Sequence, residues 1–253
     1  MALSPADVTV VILAGGFGTR IKQQLSDLPK PLAPVAHRPF LDWQLRYLQQ
    51  QGFRRSLLST GYLAEKVTAY AQNADIADMA IACVAEEEPL GTAGGFVNAV
   101  SHHNFKEPTP AWLVLNGDSL IVTDYRVLLA ELADDRVDGV ILGVHVPDAS
   151  RFGSLKVNGQ GELEQFAEKQ GGAGVINSGV YLLGDRLLAQ FPDRRPLSFE
   201  YDVFPILLAQ GAKIKVHAVE APFLDIGTPT TLAQAGEFIQ SLEIFNSIDD
   251  QGK

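Results

Sequence analysis

The chain has 253 residues, of which 30 are acidic and 20 are basic, so its formal net charge is −10. Hydrophobic residues make up 46% and charged residues 20%, which are values of a globular protein and exclude a wholly disordered chain. The acidic balance argues against a general nucleic-acid-binding protein, which would carry a basic face.

The single cysteine, Cys83, excludes an intramolecular disulfide and any metal site built from several cysteines, which fits a reducing compartment. No stretch of the sequence approaches the roughly 20 apolar residues that cross a bilayer. The first residues also lack the basic and apolar regions of a signal peptide. We therefore expect a cytoplasmic protein that binds neither membranes nor nucleic acid, and the sequence leaves open whether it forms a homo-oligomer.

Short apolar runs rich in β-branched residues alternate with segments of helical periodicity along the chain. Such alternation indicates an α/β fold, in which a mostly parallel sheet carries helices on both faces. Strands are predicted at 8–14, 55–59, 79–84, 112–115, 139–146, 175–183 and 213–219, and helices at 40–51, 63–72, 94–101, 125–134 and 199–210.

The pattern changes near residues 147–151, where hairpin-like strands follow the strand–helix units. No linker rich in proline or serine separates the two parts, so we predict one domain over residues 1–253. This domain divides into a first half at about 8–146, a smaller lobe at about 147–235, and a C-terminal helix and tail at 236–253.

A glycine-rich segment, GGFGTR, directly follows the first predicted strand. Because Gly15, Gly16 and Gly18 carry no side chains, a ligand can approach the backbone, whose amides can converge on phosphate oxygens. Thr19 adds a hydroxyl donor, and Arg20 adds a guanidinium that fits phosphate in bidentate fashion. A tight turn that requires glycine is the alternative explanation of this segment.

Two common phosphate-binding patterns do not fit this segment. The Walker pattern GxxxxGK[ST] is absent, since no Gly-Lys-Ser/Thr follows Gly15 or Gly16. The dinucleotide pattern GxGxxG can begin at Gly16, but its third position is then Ile21, which is too bulky for close helix packing. A nicotinamide-dependent oxidoreductase is therefore a poor fit.

Three charged residues further along the chain are candidates for phosphate or metal binding. Lys30 lies between two prolines, which fix φ on either side and hold its backbone extended. Asp118 follows the strand predicted at 112–115, and ligands of parallel sheets bind beyond the carboxyl ends of strands. Asp225 follows another short apolar run. From the residues alone, each aspartate is also explained as a turn residue.

The combination of GGxGTR with the following PKP resembles the opening signature of the sugar-phosphate nucleotidyltransferases, which join a nucleoside triphosphate to a sugar 1-phosphate and release pyrophosphate. The segments NGD and DIGTP are also similar to motifs of that family. The resemblance implies a Rossmann-like mixed sheet with a smaller sugar-binding lobe, and a requirement for Mg²⁺. It further implies catalytic roles for Arg20, Lys30 and Asp118, with Asp118 and Asp225 holding the Mg²⁺.

The resemblance also implies a nucleotide site. Glu86 and the PLGTAG sequence that begins at Pro89 match the family's base-recognition segment, in which the residue at the position of Glu86 reads the base edge. A carboxylate only accepts hydrogen bonds and so pairs with guanine, whose N1–H and N2–H are adjacent donors, whereas glutamine suits uracil better. GTP is favoured, and UTP stays open because related uridylyltransferases also carry an acid here. The implied nucleotide-binding residues are Leu13, Ala14, Gly15, Gly16, Gly18, Thr19, Glu86, Gly91 and Thr92.

In the second lobe, the resemblance implies a site for the sugar phosphate. Gly153 would let the sugar approach the backbone, Glu168 would accept hydrogen bonds from its hydroxyls, and Lys169 would bind its phosphate. Asn177 would complete the hydroxyl contacts, and Glu200 would be a further sugar contact. Taken singly, these residues are equally typical of turns, exposed loops and strand ends.

Over about residues 8–235, the run of motifs is most similar to that of the D-glycero-α-D-manno-heptose 1-phosphate guanylyltransferases. The implied reaction converts GTP and this sugar 1-phosphate into the GDP-sugar and pyrophosphate, as a step in sugar nucleotide biosynthesis for cell-surface polysaccharide. Three alternatives remain, namely a mannose-1-phosphate guanylyltransferase, a uridylyltransferase acting on an amino-sugar 1-phosphate, and a non-catalytic regulator that binds sugar nucleotides.

Overall fold

A nine-stranded mixed sheet forms the centre of a computed structural model that describes residues 3–25, 27–167 and 171–250. The strands in these residues are β1 Thr9–Ala14, β2 Pro34–Val35, β3 Arg38–Pro39, β4 Arg55–Thr60, β5 Ala80–Ala85, β6 Ala111–Asn116, β7 Ser119–Ile121, β8 Gly139–Val146, β9 Ser154–Val157, β10 Leu163–Ala167, β11 Gly174–Gly184, β12 Ile214–Val219 and β13 Phe223–Asp225. The α-helices are α1 Lys22–Leu25, α2 Phe40–Gln50, α3 Ala64–Asn73, α4 Thr92–His102, α5 Arg126–Leu132, α6 Phe204–Ala209, α7 Pro229–Gln240 and α8 Glu243–Asp250.

Four strands of the first half are parallel, in the order β5-β4-β1-β6. The long strand β11 is antiparallel to β6 on one side and to β8 on the other, and β12 pairs in parallel with β8. The hairpin β9–β10 continues the sheet beside the N-terminal part of β11. The predicted mixed, mostly parallel sheet is therefore confirmed.

Helices cover both faces of the sheet, and successive buried residues of β1 accordingly belong to two different hydrophobic cores. Val10 and Ile12 belong to one core, together with Leu45 of α2. Val11 belongs to the other core, together with Phe96 of α4. Each fully buried side chain of this kind contributes about 1.5–3 kcal/mol relative to an exposed one, so both layers stabilise the central strand.

The structure differs from the sequence prediction where elements are short or where proline interrupts hydrogen bonding. The segment predicted as one helix over 199–210 begins with π-helical turns at Phe199–Val203 and continues as α6. Pro205 lacks an N–H group and cannot donate to the carbonyl four residues earlier, which removes one α-helical hydrogen bond at this junction.

At the C-terminus there are two helices where the sequence predicted one helix and a tail over 236–253. The first, α7, begins at Pro229 because the Thr228 side chain accepts a hydrogen bond from the backbone of Thr231 at 3.2 Å. The second, α8, packs Phe245 and Ile248 into the core beside α2. None of the described helices has the length and apolar character needed to span a bilayer.

Replacing Phe96 by alanine tests the core between α4 and the sheet. Its side chain is fully buried, and its ring lies 5.5 Å from the ring of Phe199 and 6.2 Å from that of Trp112, centroid to centroid. We expect Phe96→Ala to lower the free energy of unfolding by about 3–5 kcal/mol in urea denaturation. The control Ile244→Ala, at a side chain 39% exposed, should cost less than about 1 kcal/mol, and equal losses would contradict this packing.

Candidate functional site

A cleft of about 330 Å³ opens at the carboxyl ends of β1, β4 and β6. Most of the residues predicted to bind the nucleotide line it, together with two residues predicted to act in catalysis. These lining residues are Leu13, Ala14, Gly15, Gly16, Lys30, Glu86, Gly91, Thr92 and Asp118. The structure thus brings together residues from four separate segments of the chain at the position expected for ligands of a parallel sheet.

Glycines let the strand ends come together at the floor of this cleft. The amide of Tyr62 donates to the carbonyl of Gly15 at 3.2 Å, and that of Gly117 donates to the carbonyl of Leu13 at 2.9 Å. A Cβ atom on Gly61 would lie 2.9 Å from the Gly15 carbonyl oxygen, and one on Gly117 would lie 2.6 Å from that of Leu13. The loops after β4 and β6 can therefore pack directly on the loop after β1.

The next residues of the glycine-rich segment, Gly18, Thr19 and Arg20, were predicted to contact phosphate but are not among the residues that line the cleft. Gly18 has a φ of 56°, a left-handed conformation that favours glycine, and its carbonyl accepts a hydrogen bond from Ile21 at 3.0 Å. Thr19 and Arg20 are exposed. Within residues 3–25, 27–167 and 171–250, no hydrogen bond or ion pair holds the Arg20 guanidinium. Its donors are therefore available to an incoming phosphate.

Glu86 lines the wall of the cleft, and one of its carboxylate oxygens accepts a hydrogen bond from the protein backbone. Its Oε2 accepts a hydrogen bond from the backbone of Leu90 at 2.8 Å. A Cβ atom on Gly95 would lie 2.9 Å from Oε1, and one on Gly15 would collide with the same oxygen, so both glycines make room for this carboxylate. Burial raises the pKa of Glu86. The arrangement presents Oε1 as an acceptor to a ligand.

Gly91 and Thr92, at the start of α4, are held by the second lobe. The carbonyl of Leu197 accepts hydrogen bonds from Ala93 at 2.9 Å and from the following amide at 3.1 Å. The Thr92 hydroxyl accepts one from the backbone of Phe199 at 3.1 Å. These contacts occupy the amides of Ala93 and Gly94 at the start of α4.

Asp118 and Asp225 lie beside each other although they are far apart in the sequence. The antiparallel pair β7–β13 sets Asp225 opposite Ser119, and the amide of Ile226 donates to the carbonyl of Asp118 at 2.9 Å. The ammonium group of Lys30 forms an ion pair with Asp118. Burial and the negative charge of Asp118 raise the pKa of Asp225.

These two carboxylates suit a hard divalent cation. Burial, and after it the negative charge of Asp118, disfavours the charged form of Asp225, which a bound cation would favour. Among the described residues, no group of three or more His, Cys, Asp or Glu side chains forms a metal site. A cation between Asp118 and Asp225 would therefore complete its coordination with substrate phosphates and water, which is how Mg²⁺ is commonly bound.

A bulge in β11 brings the second lobe next to this pair. The register between β11 and β8 shifts between Asn177 and Val180. Gly179 lies in the bulge with a φ of 76°, and a Cβ atom there would collide with the side chain of Asn116 at the end of β6. Gly179 of the second lobe thereby packs against Asn116, two residues before Asp118.

Asn177 and Glu200 belong to one hydrogen-bonded group. The Asn177 amide donates to the Tyr181 hydroxyl at 2.8 Å, and this hydroxyl donates to Oε1 of Glu200 at 3.0 Å. The Ser198 hydroxyl donates to Oε2 of Glu200 at 2.9 Å. Burial and the nearby Glu200 charge raise the pKa of Tyr181 well above its usual value, so its hydroxyl remains a donor.

The other sugar-site residues are only partly described. The carbonyl of Gly153 accepts a hydrogen bond from the backbone of Asn177 at 2.9 Å, and the space where a Cβ atom would stand is open. Glu168 and Lys169 lie outside the described residues. For these two, the predicted contacts with sugar hydroxyls and phosphate stay predictions.

Several residues at the cleft were not predicted from the sequence. Ser59, Asn116 and Gly117 line it, and their positions at the ends of β4 and β6 were the available signal. Phe17 also lines it, 53% exposed, with its ring centroid 5.6 Å from that of Tyr62. The sequence feature that could have indicated a role for Phe17 is its aromatic side chain between glycines, because a tight turn does not require an aromatic residue there.

Residues 9–241 match the family model of the nucleotidyl transferases. The chain belongs to the nucleotidyl transferase family. The family membership indicated by the GGxGTR, PKP, NGD and DIGTP motifs is thereby confirmed.

Relatives in this family include two bacterial guanylyltransferases. Mannose-1-phosphate guanylyltransferase of Mycobacterium tuberculosis is 32% identical over 88% of the chain, which spans 62% of the length of that relative. D-glycero-alpha-D-manno-heptose 1-phosphate guanylyltransferase of Aneurinibacillus thermoaerophilus is 31% identical over 91% of the chain and 97% of its own length. The crystal structure of HddC from Yersinia pseudotuberculosis matches with a TM-score of 0.79 and 34% identity, over 91% of this chain and 98% of HddC.

The raised pKa of Glu86 predicts a pH-dependent effect of Glu86→Gln on stability. The carboxyl group of Glu86 binds a proton more tightly in the folded state than in the unfolded chain. Its contribution to the free energy of unfolding therefore falls as the pH rises from about 4.5 through the folded-state pKa. Glutamine does not ionise and keeps an acceptor for Leu90. In urea denaturation without ligands, we expect the variant to gain stability relative to the parent between about pH 4 and pH 7.

Glu87→Gln is the matched control for this measurement, because Glu87 is adjacent in the sequence and exposed. Its stability relative to the parent should not change over the same pH interval. If Glu86→Gln behaves like Glu87→Gln, the carboxylate of Glu86 is not buried in the cleft wall.

Proposed function

We propose that this nucleotidyl transferase transfers GMP from GTP to a sugar 1-phosphate, with D-glycero-α-D-manno-heptose 1-phosphate as the sugar substrate. The observation that carries the proposal is the position of Asp118 and Lys30 in the cleft formed by the glycine-rich loop, with Asp225 next to Asp118 on the strand that pairs with β7. Its guanylyl and heptose specificity is supported by the Aneurinibacillus relative, which aligns over nearly its whole length. Further support comes from HddC, which has also been crystallised with GMP-PN.

In this reaction, an oxygen of the sugar phosphate attacks the α-phosphorus of GTP in line. The bond from that phosphorus to the oxygen bridging to the β-phosphorus breaks, and pyrophosphate leaves with the electron pair. No protein nucleophile is required, so acceleration comes from positioning and from stabilising the developing charge. When bound, Mg²⁺ supplies Lewis-acid stabilisation of phosphate charge, and Asp118 and Asp225 would hold it.

The cationic residues compensate charge on the phosphates. Lys30 pairs with Asp118 in the free protein, so it already lies where the phosphates and the cation would meet. Arg20, which is exposed, would bind the departing pyrophosphate, and Lys169 would bind the sugar phosphate. With a net charge of −10, the protein would otherwise repel two phosphorylated substrates, which makes these few cations important.

Guanine recognition would depend on Glu86. Its Oε1 can accept hydrogen bonds from N1–H and N2–H of guanine, while the Leu90 amide holds Oε2. The backbone amides of Gly15, Gly16 and Gly18, with the Thr19 hydroxyl, would contact the phosphates. The glycine-rich loop and Glu86 together define a site for a nucleotide with its base at one end and its phosphates toward Asp118.

The sugar would bind between the bulge of β11 and the π-helical turns. Asn177 and Glu200 are joined through the Tyr181 hydroxyl, which fixes a set of donors and acceptors suited to sugar hydroxyls. Gly153 leaves open space for the ring, and Glu168 would add a further acceptor.

A mannose-1-phosphate guanylyltransferase is the second candidate, because the Mycobacterium tuberculosis relative has that name and comparable identity. The two candidates share the base and differ in the sugar pocket. A uridylyltransferase would differ in the base, and a non-catalytic regulator would bind nucleotide sugars without releasing pyrophosphate.

The direct test is pyrophosphate release from each of the four ribonucleoside triphosphates, crossed with heptose, mannose, glucose and N-acetylated sugar 1-phosphates. We expect the highest kcat/KM for GTP with D-glycero-α-D-manno-heptose 1-phosphate and no turnover without a divalent cation. A preference for mannose 1-phosphate would support the second candidate, and a preference for UTP would refute the role of Glu86. Absence of pyrophosphate with every pair would contradict the proposed reaction.

Asp118→Asn should lower kcat a hundredfold or more, about 3 kcal/mol of transition-state stabilisation, because it removes one charged ligand of the cation. Circular dichroism and the unfolding midpoint should show an intact fold. Asp193→Asn, at an exposed position away from the cleft, serves as the control and should retain full activity. Near-normal turnover of Asp118→Asn would remove Asp118 from the metal site.

A further inference from the structure

A buried glutamine of α2 holds the backbone on either side of Asp118. Gln44 is 1% exposed, and its Nε2 donates to the carbonyls of Asn116 at 3.0 Å and Ser119 at 2.7 Å. These carbonyls precede and follow the Gly117-Asp118 turn. One side-chain amide therefore fixes both ends of the turn that carries the aspartate.

Two other residues on the same face of α2 form hydrogen bonds with the backbone that follows β7. The Tyr47 hydroxyl donates to the carbonyl of Thr123 at 2.7 Å. Gln51, at the C-terminal cap of α2, donates to that carbonyl at 3.3 Å and accepts from the amide of Tyr125 at 2.7 Å. Spacings of three and seven residues put Gln44, Tyr47 and Gln51 on one side of the helix.

Gln44 differs from Tyr47 and Gln51 in the part of the backbone that its hydrogen bonds hold. Ser119 begins β7, and β7 pairs with β13, whose last residue is Asp225. The two hydrogen bonds from Gln44 therefore fix the Asp118 turn and the start of the strand that aligns Asp225. The bonds of Tyr47 and Gln51 lie beyond the end of β7.

The amide of Gln44 also has a cost that an apolar residue would avoid. Its Oε1 is buried and has no hydrogen-bond partner in the described part of the chain, and such an atom destabilises the folded state. Losing the side chain would in turn leave two backbone carbonyls without their donor. The unpaired oxygen is thus offset by the two hydrogen bonds that the amide donates to the backbone around Asp118.

We propose that Gln44 is a positioning residue whose two hydrogen bonds set the carboxylates of Asp118 and Asp225 at the separation that binds one divalent cation. Gln44 is not among the residues that line the cleft, so it acts through the backbone without touching substrate. Its effect on catalysis rests on the proposed function, whereas its effect on cation binding can be measured without any substrate.

The test compares Gln44→Met with Gln51→Met, which is the same substitution at a residue that bonds the same backbone segment away from the aspartates. Methionine has a similar size and no amide donors. Mn²⁺ affinity is measured by electron paramagnetic resonance titration of the nucleotide-free protein, and kcat and KM are measured for GTP. For Gln44→Met we expect about a tenfold weaker Mn²⁺ affinity and a similar fall in kcat, with KM changed less than about twofold.

Gln51→Met should match the parent protein in Mn²⁺ affinity and kcat, even if its unfolding midpoint falls as far as that of Gln44→Met. Equal Mn²⁺ affinity in the two variants would overturn the proposal. Should Gln44→Met fail to fold, Gln44→Asn keeps an amide that is one methylene too short to bridge both carbonyls, and the same loss of Mn²⁺ affinity is expected. Parent-like Mn²⁺ affinity of Gln44→Asn would then overturn it.

The same measurements distinguish a failure of the proposed reaction from a failure of the positioning role of Gln44. If the parent protein binds Mn²⁺ and Gln44→Met binds it more weakly, but no nucleoside triphosphate yields pyrophosphate, the positioning role stands and the reaction is wrong. If pyrophosphate is released normally by Gln44→Met, the reaction stands and the positioning role is wrong.

Discussion

The pairing of two three-residue strands, β7 and β13, is the contact on which the proposed site depends. It brings Asp225 beside Asp118, where burial and the Asp118 charge raise the pKa of Asp225 while Lys30 forms an ion pair with Asp118. Isolated two-stranded ribbons are marginal in water, so this one is maintained by the structure around it. Gln44 on α2 donates one hydrogen bond to Ser119 at the start of β7 and another to Asn116, the last residue of β6 before the Asp118 turn.

The site also requires close backbone approach at the ends of three parallel strands. Glycines permit this approach, since a side chain at Gly61 would strike the backbone of Gly15 after β1, and one at Gly117 would strike the backbone of Leu13 at the end of β1. The same absence of side chains exposes amides to a ligand. Close packing and phosphate binding would both require glycine, which is why a glycine cluster by itself does not distinguish a tight turn from a phosphate site.

The main strands and helices could be predicted from the sequence because each buries a continuous or periodic apolar surface. The strand β8 was predicted with its observed bounds, since residues 139–146 are continuously apolar up to His145. In contrast, β7, β13, β2 and β3 have two or three residues each and leave no periodic signal. The π-helical start before α6 depends on a local loss of hydrogen bonding that apolar spacing does not report.

Within the candidate site, motif resemblance identified Asp118, Asp225 and Lys30, but the convergence of the aspartates depends on strand register. The roles of Gln44 and Tyr181 escaped prediction because apolar spacing does not report the hydrogen bonds of buried polar side chains. Their hydrogen-bond partners, the turn at Asp118 and the side chain of Glu200, lie far away in the sequence. Long-range polar contacts of this kind have no local signature.

The central claim, that Asp118 and Asp225 together hold one divalent cation, is tested most directly by crystals grown with Mn²⁺ and GTP. Anomalous scattering from manganese would locate the ion independently of any assumption about the reaction. The account predicts a peak within coordinating distance of both carboxylates and of a GTP phosphate oxygen. A peak bound by only one of the aspartates, or one located elsewhere in the protein, would contradict it.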